Sequence, residues 1–595
     1  MWLLLMAAAV LPAGPVHVWE KQEIALEARE SQGNPYRDVE VWVNLRGPGF
    51  RKRVHGFWDG GQTFRVRVMV TAPGKWSWVS GSNTRDAGLN GKRGRFAAIG
   101  WTEAEKAENA CRRGPIRATP NRHAFQYADG TPFFLLGDTW WSTATFRFRW
   151  TDDDAAHPMG PEAAFKDLLR FRKAQGFNAI AMIAAFPNWA NDGRPARLDT
   201  PEGTVVRSAW GQPGTASAKD MHNEGGRPFL FPGRVPGYQD VFPDVDRINP
   251  AYFQQLDKKI DYLNSQGFIP FIEVARRDTG QAWKKFYDWP DSYVRYIQYI
   301  FARYQANNVL LSPIHFDWYE QTIPAGEYSQ AASLAMRRHG PPPFGTLVST
   351  NSNPSTLVNF GAAPWLTFHQ TGNERTHDFY WYMTEIFQAH PALPGVAGEP
   401  YYAGYLYKPG QDLVFHAQGG SETDNLYCRS AMYGNFLSGG LGGHIYGAEG
   451  VWQANIEPQA QVKMWDAFRW ESAGQMKHLR AFAFSQGARF QELEPNAELV
   501  SPNKTSQTMA YEGWAYCART PQRDFFLIYL EKGCPRVTVR GATPEGRYEA
   551  RWFNPRNGEW TSAGGGVLRA NSVGRIPAPA QPSDEDWGLR LALLR

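Results

Sequence analysis

Over the first hundred residues the chain alternates apolar and polar positions in short runs. "VEVWVNLRGPG" (39–49), "VHGFWDGGQTFRVRVMVTAPGKWSWVSGS" (54–82) and "GKRGRFAAIG" (91–100) are separated by Gly, Pro, Asn and Asp. A period of two sends successive side chains to opposite faces of a strand, so residues 15–100 are predicted to form a small β-sandwich. A linker, "CRRGPIRATPNRHA", leads to "FQYADGTPFFLLGDTWW", which reads as a hairpin running into a buried strand.

The period then changes. "PEAAFKDLLRFRKAQG" carries Phe165, Leu168 and Leu169 at helical spacing and stops at Gly176, after which "FNAIAMIAAFPNW" is continuously apolar. The same grammar returns at Asn249 and Pro250, a cap and first-turn pair. Phe253, Leu256, Ile260 and Leu263 follow on one face, Gly267 ends the helix, and "FIPFIEVARRD" comes next. Helix–Gly–strand units in one register predict parallel βα repeats. With "TPFFLLGDTW", "NNVLLSPIHFDW", "GTLVSTN", "WLTFHQTG", "LPGVAGEPYY" and "LGGHIYGAEGVW", the apolar runs total eight, the number a (β/α)8 barrel requires. An open doubly wound sheet is the competing arrangement, but no Gly-rich phosphate loop accompanies it. Residues 190–248, rich in Gly and Pro, read as an insertion after the second strand. Beyond "SAGQMKHLRAFAFSQG" the chain is β-like again, in "WAYCART", "DFFLIYLEKG", "RVTVRG", "YEARWFNPRNGEW" and "WGLRLALL". The predicted architecture is therefore multidomain: a central (β/α)8 TIM barrel over 115–488, flanked by an N-terminal β-sandwich at 15–100 and a C-terminal one at 489–595.

Composition adds an aromatic surplus, 24 Trp, 25 Tyr and 36 Phe, suited to filling cores and to stacking on the apolar faces of sugars. A net charge of +5, with no basic run beyond "RKR" at 51–53, leaves no nucleic-acid footprint. The start "MWLLLMAAAVLPAG" (1–14) resembles a signal peptide, although it lacks a Lys or Arg near Met1, and predicts a secreted or periplasmic protein. No later stretch reaches the roughly 20 apolar residues of a membrane span. Cys111, Cys428, Cys517 and Cys534 lack zinc-ligand spacing. Cys517 and Cys534, on neighbouring predicted strands, are the pair an exported chain would bridge; unpaired buried thiols are the alternative.

Barrel active sites lie at the C-terminal ends of the strands. The last polar residues of the runs are Asp138, Asn188, Arg276, Asp278, Asp317, His369, Glu399 and His444, with Trp140, Trp141, Trp189, Trp318, Tyr401, Tyr402, Tyr446 and Trp452 beside them. Acids among aromatics, without metal-ligand spacing or a G-x-S-x-G elbow, point to sugar chemistry. Glycoside hydrolysis uses one carboxyl to protonate the leaving oxygen and a second as nucleophile or base. Asp317 and Glu399, at the ends of the fourth and seventh runs, are the catalytic pair this reading selects, with Glu320 the rival for the acid. Asp138, Trp140, Trp141, Asn188, Trp318, His369, Tyr401, His444, Tyr446 and Trp452 are the expected carbohydrate-binding residues.

"FFLLGDTWW", "QGFNAI", "VAGEPYY" and "GGHIYGAEGVWQ" together resemble an apiosidase-like catalytic barrel of the glycoside hydrolase family 140 type. "GFWDGGQTFRVRVMVTAPGKWSW" is similar to the sandwich that precedes many bacterial carbohydrate enzymes, and "RWFNPRNGEW" to a collagen-binding-domain sandwich. The resemblance spans nearly the whole chain. It implies a retaining, exo-acting glycosidase without a cofactor, acting on plant-wall side chains such as apiose-bearing pectin. In that family the nucleophile is the Glu of Gly-Glu-Pro, matched by Glu399. The acid/base is an Asp at the end of the fourth strand, usually after Gly-Gly, matched in position by Asp317 within "IHFDW". Retention would set the two carboxyls about 5–5.5 Å apart. A non-catalytic carbohydrate-binding or adhesion protein with a degenerate barrel is the reading from a different class.

Overall fold

A computed structural model describes residues 15–594 except residue 32 and the stretches 186–196, 201–202, 207–221, 237–238, 240–242, 278–279, 318–322, 406–416, 453, 459 and 509–510. The signal-like start and much of the expected insertion thus lie outside the described residues.

Two N-terminal sheets form as the alternation requires. One has five strands, in the order Val16–His17, Arg93–Ile99, Gly74–Ser82, Val41–Gly47, Phe50–His55; the other has three, Lys21–Glu27, Thr63–Met69, Phe57–Gly60. Val41, Val43 and Leu45 from the first share a core with Ile24, Leu26, Phe64 and Val66 from the second.

Seven parallel strands make the central sheet: β1 Leu135–Thr139, β2 Ala179–Ile183, β3 Ile269–Glu273, β4 Leu310–Ser312, β5 His369–Thr371, β6 Gly395–Ala397 and β7 Gly443–Tyr446. Their spatial order is β4-β3-β2-β1-β7-β6-β5. Parallel neighbours need crossovers, and helices supply them, among them Phe165–Ala174, Pro250–Ser265, Asp291–Tyr304, Phe379–Gln388 and Glu422–Leu437. The punctuation read from sequence forms as expected: the Asn249 side chain accepts from the Ala251 amide at 3.2 Å, and Gly176 and Gly267 take φ of 88° and 83° past the helix ends, a conformation that costs Gly little.

The sheet is curled, and alternate residues of each strand sort onto two faces. Leu135, Ala179, Ala181, Ile269, Phe271, Leu310, Val396 and Ile445 meet in an interior cluster, joined by Phe125 and Phe133 of the preceding hairpin. Leu136, Ile180, Met182, Ile272 and Leu311 face the helices. The fifth predicted run, "GTLVSTN", is not a ladder strand. Residues 347–349 hydrogen-bond to Leu311 of β4 on one side, but the Val348 amide goes to Thr367 Oγ1 at 2.6 Å and Ser349 Oγ donates to the Phe368 carbonyl at 2.7 Å. Hydroxyl side chains take places that backbone partners fill in a regular strand.

The C-terminal region builds a six-stranded sheet and a three-stranded one. "FFLIYL" (Phe525–Leu530) is apolar throughout because both of its faces are covered. Phe526, Ile528 and Leu530 point into the region's own core, while Phe525, Leu527 and Tyr529 join the main core against the helices. The expected Cys517–Cys534 bridge does not form. Cys517 sits opposite Ile528 on the neighbouring strand, Cys534 lies past that strand's end, and both are free, buried thiols.

Buried ion clusters weld the flanking sheets to the centre. Asp257, on helix Pro250–Ser265, receives Arg67 of the N-terminal sheet at 2.5 and 3.0 Å and Arg303 of helix Asp291–Tyr304 at 2.6 and 2.9 Å. On the other side Arg429 and Asp586 pair bidentately at 2.9 Å. Removing one partner strands the remaining buried charge, so Asp257→Asn is expected to lower unfolding free energy by about 3–5 kcal/mol in urea denaturation. Burial alone would raise the Asp257 pKa, but Arg303 and Arg67 outweigh it and hold it well below the carboxylate range. The stability it contributes is therefore present at neutral pH and lost in strong acid, and the variant's deficit should shrink there.

Candidate active site

The carboxyl ends of the parallel strands enclose a cavity of about 250 Å³ lined by Trp141, Arg276, Arg277, His315, Asp317, Asn373, Arg375, Glu399, Tyr402, Tyr405 and Trp452. Asp317 and Glu399 both face it. His315, Asp317 and Glu399 each present one donor atom within 4.8 Å of the others.

Local chain geometry explains how each arm arrives. Past β4 the chain stays extended, with His315 bridging Arg276 in parallel, so residues 315 and 317 fall on one side. Glu399 lies two residues beyond β6, where the Gly398 and Glu399 amides both donate to the Thr371 carbonyl, at 2.9 and 3.2 Å. Gly398 leaves room for the Gln370 side chain: a Cβ there would stand 2.3 Å from Gln370 Oε1 and displace it.

The two carboxylates have separate partners. Asp317 pairs with Arg277, with Arg276 at 3.6 Å and with His315 Nε2 at 3.3 Å. Glu399 accepts from Asn351 Nδ2 at 2.5 Å and from Arg375 at 3.1 Å. Arg375 also donates to the Pro400 carbonyl at 2.6 Å and to Asn373 Oδ1 at 3.1 Å, and lies over the rings of Tyr402 and Tyr405. Beneath both arms is Glu273, the last residue of β3 and fully buried. It bonds His315 Nδ1 and accepts from the Asn351 amide at 3.2 Å. Trp141 packs edge-on against His315 at 4.5 Å.

Burial raises the Asp317 carboxyl, but Arg277, His315 and Arg276 more than reverse this and hold it well below the carboxylate range. His315 moves the other way: burial depresses it, while Glu273 and Asp317 lift it to about 10. At neutral pH the site therefore holds an ionised Asp317 against a protonated His315. The His315–Asp317–Glu399 donor set could take a divalent ion by distance alone, but Arg277 and Arg375 already neutralise its two carboxylates.

Of the residues expected from sequence, Asp317, Glu399, Trp141 and Trp452 line the cavity. Asn188 and Trp318 lie outside the described residues, as does the rival acid Glu320. The others face the helices instead. Asp138 and Trp140 share the face of Leu136, which packs outward. Asp138 is fully buried and bonds Arg172 Nε and Trp140 Nε1, each at 2.6 Å; Trp140 stacks on Phe148. His369 bonds Thr356 Oγ1 at 2.9 Å, Tyr401 donates to Asp424 at 2.7 Å and Tyr446 bonds Ser472 at 2.9 Å. His444 is buried, and burial pushes its pKa to about 3 and that of His369 to about 4, leaving both neutral. Sequence reasoning missed His315, Asn351, Asn373, Arg375 and Glu273. His315 alone carried a signal, its place two residues before Asp317 in an extended segment.

Because Asp138 is placed in an ion pair behind the strand, Asp138→Asn is expected to cost about 3–5 kcal/mol of stability in denaturant titration while KM stays unchanged. A rise in KM without loss of stability would restore the sugar-contact role.

The family described as "Apiosidase-like, catalytic domain" matches residues 119–488. A "Domain of unknown function (DUF5060)" matches 15–83, and a "Putative collagen-binding domain of a collagenase" matches 502–592. Among solved structures, a "putative glycoside hydrolase" from Bacteroides vulgatus is similar at a TM-score of 0.64 and 17% identity, over 98% of this chain and 100% of that one. A glycoside hydrolase family 5 protein from Bacteroides vulgatus is similar at 0.56 and 15% identity, over 81% and 95%. At these identities the likeness is one of fold. No curated protein matches the chain.

Proposed function

Because the chain belongs to the apiosidase-like catalytic-domain family and is a glycoside hydrolase, we propose that it cleaves side chains of plant-wall or related polysaccharides with retention, Glu399 acting as nucleophile and Asp317 as acid/base. One observation carries the reading: at the carboxyl end of the parallel sheet, an oxygen of each carboxylate lies within 4.8 Å of the other. That spacing suits direct attack on the anomeric carbon and is short of the roughly 6.5–9.5 Å that admits a water between carboxyls.

In the first step a Glu399 oxygen bonds to the anomeric carbon as the glycosidic C–O bond breaks, and the leaving oxygen takes a proton from the His315–Asp317 pair. Ionised Asp317 cannot hold that proton alone in the free site; His315, 3.3 Å away, stores it. In the second step Asp317 removes a proton from water, the oxygen attacks the same carbon, and Glu399 leaves as carboxylate. The proton returned to the pair restores the starting state. Trp141, Trp452 and the tyrosines offer ring faces to the sugar.

The same proposal takes the core as a closed (β/α)8 barrel over 115–488, with 347–349 as its fifth member. Their hydrogen bonds to Leu311 and the Thr367 amide's bond to Val348 support this. Sandwiches at 15–100 and 489–595 flank it. Export to the periplasm or medium rests on the apolar start. Among the described residues no helix is long and apolar enough to cross a membrane.

Asp317→Ala is expected to lose about 10²–10⁴-fold on natural glycosides, far less on activated aryl glycosides, and to regain turnover with azide. Glu399→Ala should be nearly inactive on both. Azide rescue of Glu320→Ala in place of Asp317→Ala would move the acid to residue 320, and an inverted product by NMR would reject retention.

Proton storage on His315 sets a pH signature, because kcat/KM reports the free site. It should fall only as pH approaches the His315 value of about 10. In Glu273→Gln the carboxylate that raises His315 is gone, so the alkaline limb should move down toward the ordinary histidine value of 6.5. An unmoved limb would remove His315 from the proton path.

A further inference from the structure

Away from the catalytic cavity, where the N-terminal sheet meets helix Ala325–His339, the structure holds a second group of metal-ligand residues that the hydrolytic reaction does not use. Glu40 immediately precedes strand Val41–Gly47, His55 ends strand Phe50–His55, and His339 is the last residue of the helix. Each offers one donor atom within 4.8 Å of the others. His55 and His339 line a cavity of about 160 Å³ together with Glu40.

Two features separate this group from an ordinary surface cluster. The Nδ1 atom of His55, a residue only 8% exposed, and the Nε2 atom of His339 are both buried without a hydrogen-bond partner. Buried nitrogens without a hydrogen-bond partner in the protein can be satisfied by a bound water or an ion. Glu40 Oε2 is 3.9 Å from His339 Nε2, too far for a hydrogen bond and near enough to share an ion. We infer that Glu40, His55 and His339 form a three-ligand site for a divalent transition-metal ion of the zinc type, with water completing a tetrahedron, joining the N-terminal sandwich to the central helices.

The chemistry agrees. Zinc takes neutral imidazole and carboxylate ligands. The surrounding cations each have a partner of their own, Arg338 in Asp291, Arg295 in Asp246, Arg37 in Asp38 and Arg53 in the Trp42 ring, although Arg338 and Arg53 are still near enough to act on Glu40 and His55. His339 also stands at a helix C-terminus, whose free carbonyls favour a cation. The two imidazoles are stacked, 3.8 Å between centroids, and closing on one ion takes a turn of the side chains into the adjoining cavity.

The test uses the full chain, stripped with EDTA, desalted, loaded with zinc chloride and desalted again, with bound zinc measured by mass spectrometry and unfolding followed by calorimetry. Wild type should retain one zinc per chain and unfold at a higher temperature with it. Glu399→Gln should do the same, which separates this site from the catalytic donors. His339→Gln and His55→Ala should retain none and show no thermal response, and Glu40→Gln should bind more weakly. Since His55 is buried and its variant is at risk of misfolding, His339→Gln, checked by circular dichroism, is decisive. Wild type without zinc, or folded His339→Gln binding as wild type does, would overturn the proposal. Loss of the zinc in Glu399→Gln would overturn it too, by assigning the ion to the catalytic cavity.

Discussion

Glu273 is the constraint on which the active site rests. A carboxylate at the end of β3, sealed from water, must find its hydrogen bonds within the protein. It finds them in His315 Nδ1 and the Asn351 amide. These two residues belong to the next two segments around the curled sheet, and each reaches a different carboxylate of the pair: His315 contacts Asp317, and the Asn351 side chain contacts Glu399. One buried carboxyl thus contacts both arms.

Two unit negative charges within 4.8 Å, the spacing of these carboxylates, would repel by about 3 kcal/mol at an effective dielectric of about 20. Left uncompensated, that repulsion would protonate one of them. The site avoids this by giving each carboxylate its own cation, Arg277 for Asp317 and Arg375 for Glu399. The division has a chemical consequence. Arg277, His315 and Arg276 hold the Asp317 carboxyl well below the usual carboxylate range, while Glu273 and Asp317 lift His315 to about 10; in the proposed reaction the histidine is therefore the proton store and Glu399 the nucleophile. The departure from a Gly-Gly-Asp context is bound up with this, since "IHFDW" supplies the histidine on the same side of the chain as the aspartate.

The same logic governs the larger architecture. The flanking sheets are attached by Arg–Asp clusters set among aromatic contacts, Asp257 with Arg67 and Arg303 on one side and Arg429 with Asp586 on the other. The second cluster is accompanied by Tyr433 stacked on Tyr529 at 4.8 Å. Buried pairs of this kind add little net stability compared with apolar packing, but breaking one by removing a partner is costly.

Much of the fold was legible because its signals are local. The change from a period of two to helical spacing, the Asn-Pro start at 249, the glycines at 176 and 267 and the position of Glu399 at the end of an apolar run all depend on neighbours in sequence. Parity was legible as well, although it was not applied to Asp138. Residues 136, 138 and 140 share a face, and the outward packing of Leu136 carries Asp138 and Trp140 away from the cavity. What the sequence could not determine is which face turns inward, which strand ends converge, and which cation neutralises which carboxylate. Arg375 and Asn351 lie 24 and 48 residues from Glu399, and nothing local distinguishes them from other polar residues. The curl of the sheet brings them together, and the desolvation cost of an unpaired buried carboxylate favours that convergence; both are properties of the folded chain and of no single segment within it.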